Sequence, residues 1–305
     1  IWKTGIGLKV KDTFNKNRIL GAGPALALTV ADQLVNNKLR LGYSKQEYPI
    51  VRALAAQILL HTHERTKEKR FLVKAEQHLE WLRENISTGY SGACWGIGFK
   101  WPAASNVIYD ANTPLATHTP YALEALHLYT KVAEDDRFIN LIKSCFQFFE
   151  KDLFTMYEDD TMMATSYGPF KDRIVTNAIS YVMYSYAILL LYYPDKEKYI
   201  VNKIHKLYTF ICRKQRPDGS WLYAPDDENS FIDCFHSCFI IKNIIKTEAI
   251  LKLNKSNEIT ANAYRYLCGH FYDVKSGLYK RFSLSNKLSL VKFDLYDNSE
   301  MLSLM

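Results

Sequence analysis

Residues 215–221 read Gln215-Arg216-Pro217-Asp218-Gly219-Ser220-Trp221, and a stretch with helical periodicity opens soon after at Asp233-Cys234-Phe235-His236. A Pro-Asp-Gly turn followed by a tryptophan, set between two helix-like stretches, marks a long connection. Long loops without structure of their own are uncommon in compact domains and are usually functional. The same grammar recurs elsewhere in the chain. Gly219 lies 14 residues before Asp233, and Gly96 lies 14 before Asp110. Tyr90-Ser91-Gly92-Ala93-Cys94-Trp95-Gly96 and Lys275-Ser276-Gly277-Leu278-Tyr279 also set glycine beside an aromatic residue.

Outward from this segment, apolar residues three and four apart predict helices over about 23–37, 46–63, 68–86, 119–133, 136–151, 175–193, 196–214, 233–253, 257–269 and 293–305. Gaps such as Ala133 to Asp136 or Tyr193 to Lys196 are short and force antiparallel hairpins. The gaps at 87–118, 152–174, 215–232 and 270–292 are long and follow alternate helices, so all four should emerge on one face. The helices after them begin near 119, 175, 233 and 293, at separations of 56, 58 and 60 residues. Open solenoid repeats run to about 34–47 residues with short loops throughout. The longer period predicts a closed (α/α) toroid instead, an all-α ring of inner and outer helices with the long loops on one face. An inner helix is buried all round, and 175–193, with Tyr181, Tyr184 and Tyr186 among aliphatics, fits that place. A single toroid domain over 1–305 is expected, with residues 1–22 an irregular N-terminal extension. The chain starts without methionine and ends at Met305 in what reads as an unfinished helix, so a fragment with an incomplete last hairpin is expected.

Composition narrows the classes. A chain of 305 residues, 48% hydrophobic and 23% charged, is neither disordered nor a disulfide miniprotein. Its six cysteines lack the paired C-x-x-C spacing of a structural zinc site and read as buried free thiols of a reducing compartment, the expectation being cytoplasmic, although a removed signal peptide stays open. The net charge of +7 is scattered rather than gathered into a basic stripe, so nucleic acid is not the expected partner. The longest apolar run, Ile179 to Tyr193, falls short of the roughly 20 residues of a membrane span.

The Gln215 to Trp221 segment, preceded by Leu207-Tyr208-Thr209-Phe210, resembles the glutamine–tryptophan motif of triterpene cyclases and other α/α-toroid proteins. Over 40–300 the chain resembles bacterial α/α-toroid proteins that accompany capsule and other surface-polysaccharide gene clusters. The residues that carry this are Tyr43-Ser44-Lys45-Gln46-Glu47-Tyr48, the Cys94-Trp95-Gly96 loop with Trp101, Asp110-Ala111-Asn112-Thr113-Pro114, Val175-Thr176-Asn177-Ala178, and Asp233-Cys234-Phe235-His236. The resemblance implies a fold and leaves the activity open, because this architecture hosts glycosidases, lyases, epimerases and isoprenoid enzymes. The aspartate-rich acid motif of the squalene–hopene cyclases is missing; Glu158-Asp159-Asp160-Thr161-Met162 only imitates its composition.

Asp233 and His236 are the leading catalytic candidates. Three residues apart on one helix, they share a face at the helix start behind a long loop. A carboxylate beside an imidazole orients it and suits it to acid–base work near neutral pH. An N-cap role for Asp233 is the competing account. Asp110 and His118 form a second set, with Asn112, Thr113 and Thr117 able to bind sugar hydroxyls. The next long loop adds Tyr167, Asp172 and Arg173, then Asn177, with Asp172 expected to match Asp110 and Asp233 in its repeat. Trp95, Trp101 and Tyr223 are candidates for stacking on sugar rings, whereas the resemblance to the triterpene cyclases implies that Trp221 staples helix ends by packing. Cys234, His236 and Cys238 do not make a metal site, because position 236 points away from 234 and 238 on a helix. No metal or cofactor is expected.

The residues suit acid–base chemistry, and the resemblance implies a polysaccharide or oligosaccharide of bacterial surfaces as its substrate, acted on by hydrolysis, β-elimination or epimerisation. Two alternatives remain at this level. A non-catalytic toroid that binds a glycan or a protein would keep its histidines buried or bonded to main chain. An isoprenoid enzyme would need a deep, dry, aromatic-lined cavity.

Overall fold

The computed structural model describes residues 4–34, 45–104, 107–253, 257–285, 289 and 291–305. Tyr43 and Ser44 of the resemblance, and residues 35–37 of the first predicted helix, lie outside these. The helices are α1 (Gly5–Lys16), α2 (Arg18–Leu34), α3 (Pro49–Thr66), α4 (Lys69–Glu84), α5 (Thr119–Ala133), α6 (Ile139–Gln147), α7 (Thr176–Leu190), α8 (Glu197–Arg213), α9 (Cys234–Leu251), α10 (Asn257–Phe271) and α11 (Leu295–Leu304). Neighbouring contacts run α3 to α5, α5 to α7, α7 to α9 and α9 to α11, the inner course of the ring. Helices α4, α6, α8 and α10 pack outside it. Tyr296 of α11 meets Tyr121 of α5 across the mouth.

Sequence explains which helix goes where. In α7 every residue from Thr176 to Leu189 is buried, as an apolar helix enclosed on all sides must be. Its serines bond back to the helix, Ser180 Oγ to Asn177 O at 2.7 Å and Ser185 Oγ to Tyr181 O at 2.9 Å, so neither hydroxyl is left without a partner. Helix α8 buries one stripe only, Ile200, Ile204, Leu207, Phe210 and Ile211, the signature of an outer helix. The N-terminal segment differs from expectation. It forms two helices, because Thr4 Oγ1 accepts from Gly7 N at 3.1 Å to cap α1, and Asn17 Oδ1 accepts from Ile19 N and Leu20 N to start α2.

The long loops hold short ribbons. Strands β1 (Trp101–Ala104) and β2 (Val107–Tyr109) pair in the first, and β3 (Thr155–Glu158) with β4 (Met163–Thr165) in the second. Later, β5 (Ile232–Asp233) pairs with β8 (Phe282–Leu284), and β6 (Tyr272–Asp273) with β7 (Leu278–Tyr279). Bonds between loops put all four on one rim, as the alternation of loop lengths required. Ala116 N donates to Tyr167 O at 2.9 Å, Thr176 N to Tyr223 O at 3.0 Å and Cys234 N to Arg281 O at 3.0 Å.

Two tryptophans hold this rim to the outer helices. Trp221 Nε1 donates to Ile211 O at the end of α8, and Trp95 Nε1 to Leu82 O at the end of α4, both at 2.9 Å. The first satisfies a carbonyl that the last helical turn leaves orphaned, and the second adds to the longer 3.3 Å bond that Leu82 O accepts from Asn85 N. Trp221 is the staple expected of it. Trp95, expected to stack on substrate, is fully buried and does the same structural work. Gln215 Nε2 extends the staple to Gly219 O and to Ile259 O of α10.

Gly219 has φ +91°, and a Cβ there would sit 2.5 Å from Asn262 O. Gly219→Ala should therefore cost about 1–3 kcal/mol, read as a lower urea midpoint. Trp95→Phe removes the indole bond and part of a fully buried side chain, leaving Leu82 O only the 3.3 Å bond from Asn85 N, for a loss of about 1–3 kcal/mol. Unchanged midpoints for both variants would show that the rim is not held by these staples.

Candidate functional site

Asp233 occupies the N-cap position of α9 in the extended backbone conformation of a capping residue, φ −120° and ψ 164°, yet its side chain makes no capping bond. Its two carboxylate oxygens lie 2.8 and 2.7 Å from His236 Nδ1 instead. An imidazole that donates from Nδ1 to a carboxylate is fixed in orientation and tautomer, and Nε2 is left as the edge that meets a ligand. Asp233 is 3% exposed and the His236 side chain 21%, so only the imidazole reaches the solvent side. Aromatic rings surround it, with Phe235 at 4.0 Å, Tyr223 at 4.8 Å and Phe231 at 6.3 Å between centroids.

The capping donor that Asp233 leaves, Phe235 N, donates to Asp297 Oδ1 of α11 at 3.0 Å. Asp297 is 1% exposed. Burial, with the charge of Asp233 next, pushes its carboxyl up to about 7, against the opposing pull of the Phe235 bond and Arg281. Sequence reading missed it, as it missed Arg281 and Phe231. Asp297 stands in no motif and meets the site only because the ring brings α11 beside α9.

A second cluster adjoins the first. Tyr109 donates its hydroxyl to Asp172, Arg173 Nη2 donates to that hydroxyl at 3.2 Å, and Arg173 Nε stands 3.6 Å from the Asp172 carboxylate. Phe170 stacks on Tyr109 at 5.6 Å, and the Arg173 guanidinium lies 4.8 Å over Tyr167. Tyr223 joins the two clusters, feeling the charges of both Arg173 and Asp233; burial holds its hydroxyl well above the usual range. Burial and the Asp172 bond do the same to Tyr109. Asp172 Oδ1, Arg173 Nε and Asn177 Oδ1 are buried without a hydrogen-bond partner.

Other expected residues stand apart. Asp110 is 82% exposed and pairs with Lys100 at 3.1 Å, so it is a surface ion pair rather than part of the cluster. Asn112 takes φ +64°, a left-handed turn position suited to asparagine, and its side chain is exposed. Trp101 packs edge-on to Phe99 and under Lys11 Nζ at 2.9 Å. His118 sits at the start of α5 beside Thr117 Oγ1 at 3.3 Å, and burial pushes its imidazole down to about 4, so it is neutral at neutral pH. Among the described residues no group of three His, Cys, Asp or Glu could hold a metal ion.

Below the mouth the lumen is polar. Tyr121 and Tyr181 share a hydrogen bond of 2.6 Å, Glu124 accepts from Tyr184 at 2.8 Å and Lys246 at 2.6 Å, and Lys242 pairs with Glu300.

No protein-family model matches the sequence, and no curated protein matches it. Solved structures do share the fold. The cellobiose 2-epimerase of Spirochaeta thermophila superposes with a TM-score of 0.64 at 11% identity, covering 97% of this chain and 82% of that one. The unsaturated glucuronyl hydrolase of Bacillus sp. GL1 gives 0.59 at 12%, covering 100% and 85%. A sugar epimerase from a ruminal bacterium gives 0.57 at 12%, and this chain spans 66% of its length. The chain thus has the fold that these structures share, an α/α toroid.

Asp297 generates a pH prediction. Its folded value of about 7 lies above the ordinary carboxyl range, so the folded chain holds this proton more tightly than the unfolded chain. The stability it lends is complete below about pH 4 and is lost as pH rises through 7. Asp297→Asn should gain on the wild type between pH 4 and 7.5, by up to about 4 kcal/mol, in urea unfolding at both pH values. A difference that does not change with pH would mean that the carboxyl is ionised in the fold.

Proposed function

We propose that this protein is a carbohydrate-active enzyme of bacterial surface-polysaccharide metabolism that performs proton transfer on a glycan at the loop rim of the toroid. His236 is the acid–base group and Asp233 orients it. Tyr223 and Tyr167 offer aromatic faces to sugar rings, with Arg173, Asp172 and Asn177 as hydrogen-bonding groups. The observation that supports this best is the diversion of Asp233 from capping α9 to holding the imidazole by Nδ1. A residue placed to satisfy a helix end would bond Phe235 N. This one leaves that donor to another helix.

The architecture is shared with proteins named as sugar epimerases, a glucuronyl hydrolase and an α-mannanase, whose chemistry at a sugar needs an acid and a base. A purely binding toroid fits less well, because its histidines should be buried or bonded to main chain, and His236 is 21% exposed and held by a carboxylate. An isoprenoid pocket fits less well too, because the lumen carries Glu124, Lys246, Lys242 and Glu300 rather than a dry apolar lining.

The test is a screen of the purified protein against acidic and neutral bacterial polysaccharides, read by mass, reducing ends and anomeric NMR signals. Wild type should convert at least one of them, and His236→Ala should lose about 10²–10⁴-fold in rate while keeping its circular dichroism. Equal turnover by the folded variant removes the pair from the chemistry.

A further inference from the structure

We infer that Asp297 is the positioning residue of the site: by taking over the cap of α9 it leaves the Asp233 carboxylate to His236. The inference rests on the reading of Asp233 and His236 as the working pair.

Two N-caps of the same molecule show the contrast. Asp294 precedes α11 with φ −128° and ψ 138°, and its Oδ1 accepts from Tyr296 N, the second helical residue, at 2.8 Å. Asp233 precedes α9 with almost the same backbone, φ −120° and ψ 164°, and the matching donor is Phe235 N. An aspartate so placed ordinarily accepts that bond. Phe235 N goes instead to Asp297 Oδ1 at 3.0 Å, and the preceding donor, Cys234 N, goes to Arg281 O at 3.0 Å. Both leading donors of α9 are therefore satisfied from the last loop and α11. The carboxylate of Asp233 has no helix end to serve and turns to Nδ1 of His236.

Asp297 is held in place for this. Asn298, next to it, accepts from Tyr279 N at 2.9 Å and donates to Tyr279 O at 3.1 Å, which ties α11 to β7. The titratable and charged groups facing Asp297 are Asp233 and Cys234 from α9, Arg281 from the loop between β7 and β8, and Asp294 from its own helix. Without the Asp297 acceptor, a buried N–H would be left unsatisfied at a cost that Asp233 alone could relieve, by swinging back to the cap. His236 would then lose the carboxylate that anchors it.

The experiment is a titration of the His236 imidazole by NMR in the full-length protein, which needs no substrate. Asp297→Leu removes the acceptor while keeping the branching and heavy-atom count of the side chain, and Asp297→Asn keeps an acceptor. In Asp297→Leu the His236 midpoint should fall by about one unit, a tenfold loss of proton affinity, as expected when an adjacent carboxylate is withdrawn. Asp233→Asn should give the same fall, and Asp297→Asn should stay nearer the wild type. If the leucine variant does not fold, Asp297→Ser, too short to reach Phe235 N, replaces it. A merely structural Asp297 would lower stability and leave the midpoint where it is, and that result overturns the inference without touching the glycan reading. Absence of glycan turnover would overturn the latter and leave the titration result standing.

Discussion

Inner helices α5, α7, α9 and α11 all begin at one rim, so their unpaired N–H groups and the positive ends of their dipoles converge there. Everything else at that rim answers this constraint. The long loops run over it and supply carbonyls, Tyr223 O to Thr176 N and Arg281 O to Cys234 N, while Asp294 and Asp297 supply carboxylates. A ring of parallel helices thus draws acidic groups and loop backbone to one end. The outer helices α4, α6, α8 and α10 begin at the opposite end, where short hairpins rather than long loops join them to the inner helices.

Much of this was legible in the chain. Helix α5, expected over 119–133, runs over Thr119–Ala133, and α8 differs from its expected span by one residue at each end. Period and burial agree in both, so the pattern is strong. Helix α6 shows where pattern fails. Expected to 151, it stops at Gln147 and continues as one π turn, Phe148–Asp152. That slip buries Phe148 and Phe149 together and brings Glu150 to Tyr186, Tyr199 and Lys203, a tertiary choice that periodicity cannot express.

The site divides along the same line. The pair of Asp233 and His236 was readable because both lie within one turn of one helix. Asp297 was not, because its partner is on another helix. Asp110 looked equivalent to Asp233 from its distance to the preceding glycine, but Asp233 adjoins its helix and Asp110 stands nine residues before α5, out in solvent. Trp95 and Trp221 were equivalent, and only one was read as a staple. The hydrogen bond from each indole to the last turn of an outer helix is what the two share.

The burial of the carboxylates bears on which chemistry the rim can host. A carboxylate that attacks a sugar carbon must present an oxygen to it. Asp233 is 3% exposed with both oxygens on Nδ1, and Asp297 is 1% exposed with one on Phe235 N. Neither is free to form a bond to a substrate unless the arrangement at the start of α9 is undone. The Asp172 carboxylate is closer to solvent at 13%, but one oxygen takes the Tyr109 hydroxyl. The imidazole edge is the group left facing outward, with a buried negative charge behind it. An imidazole so placed suits the proton transfer proposed for the rim, which needs no covalent carboxylate adduct.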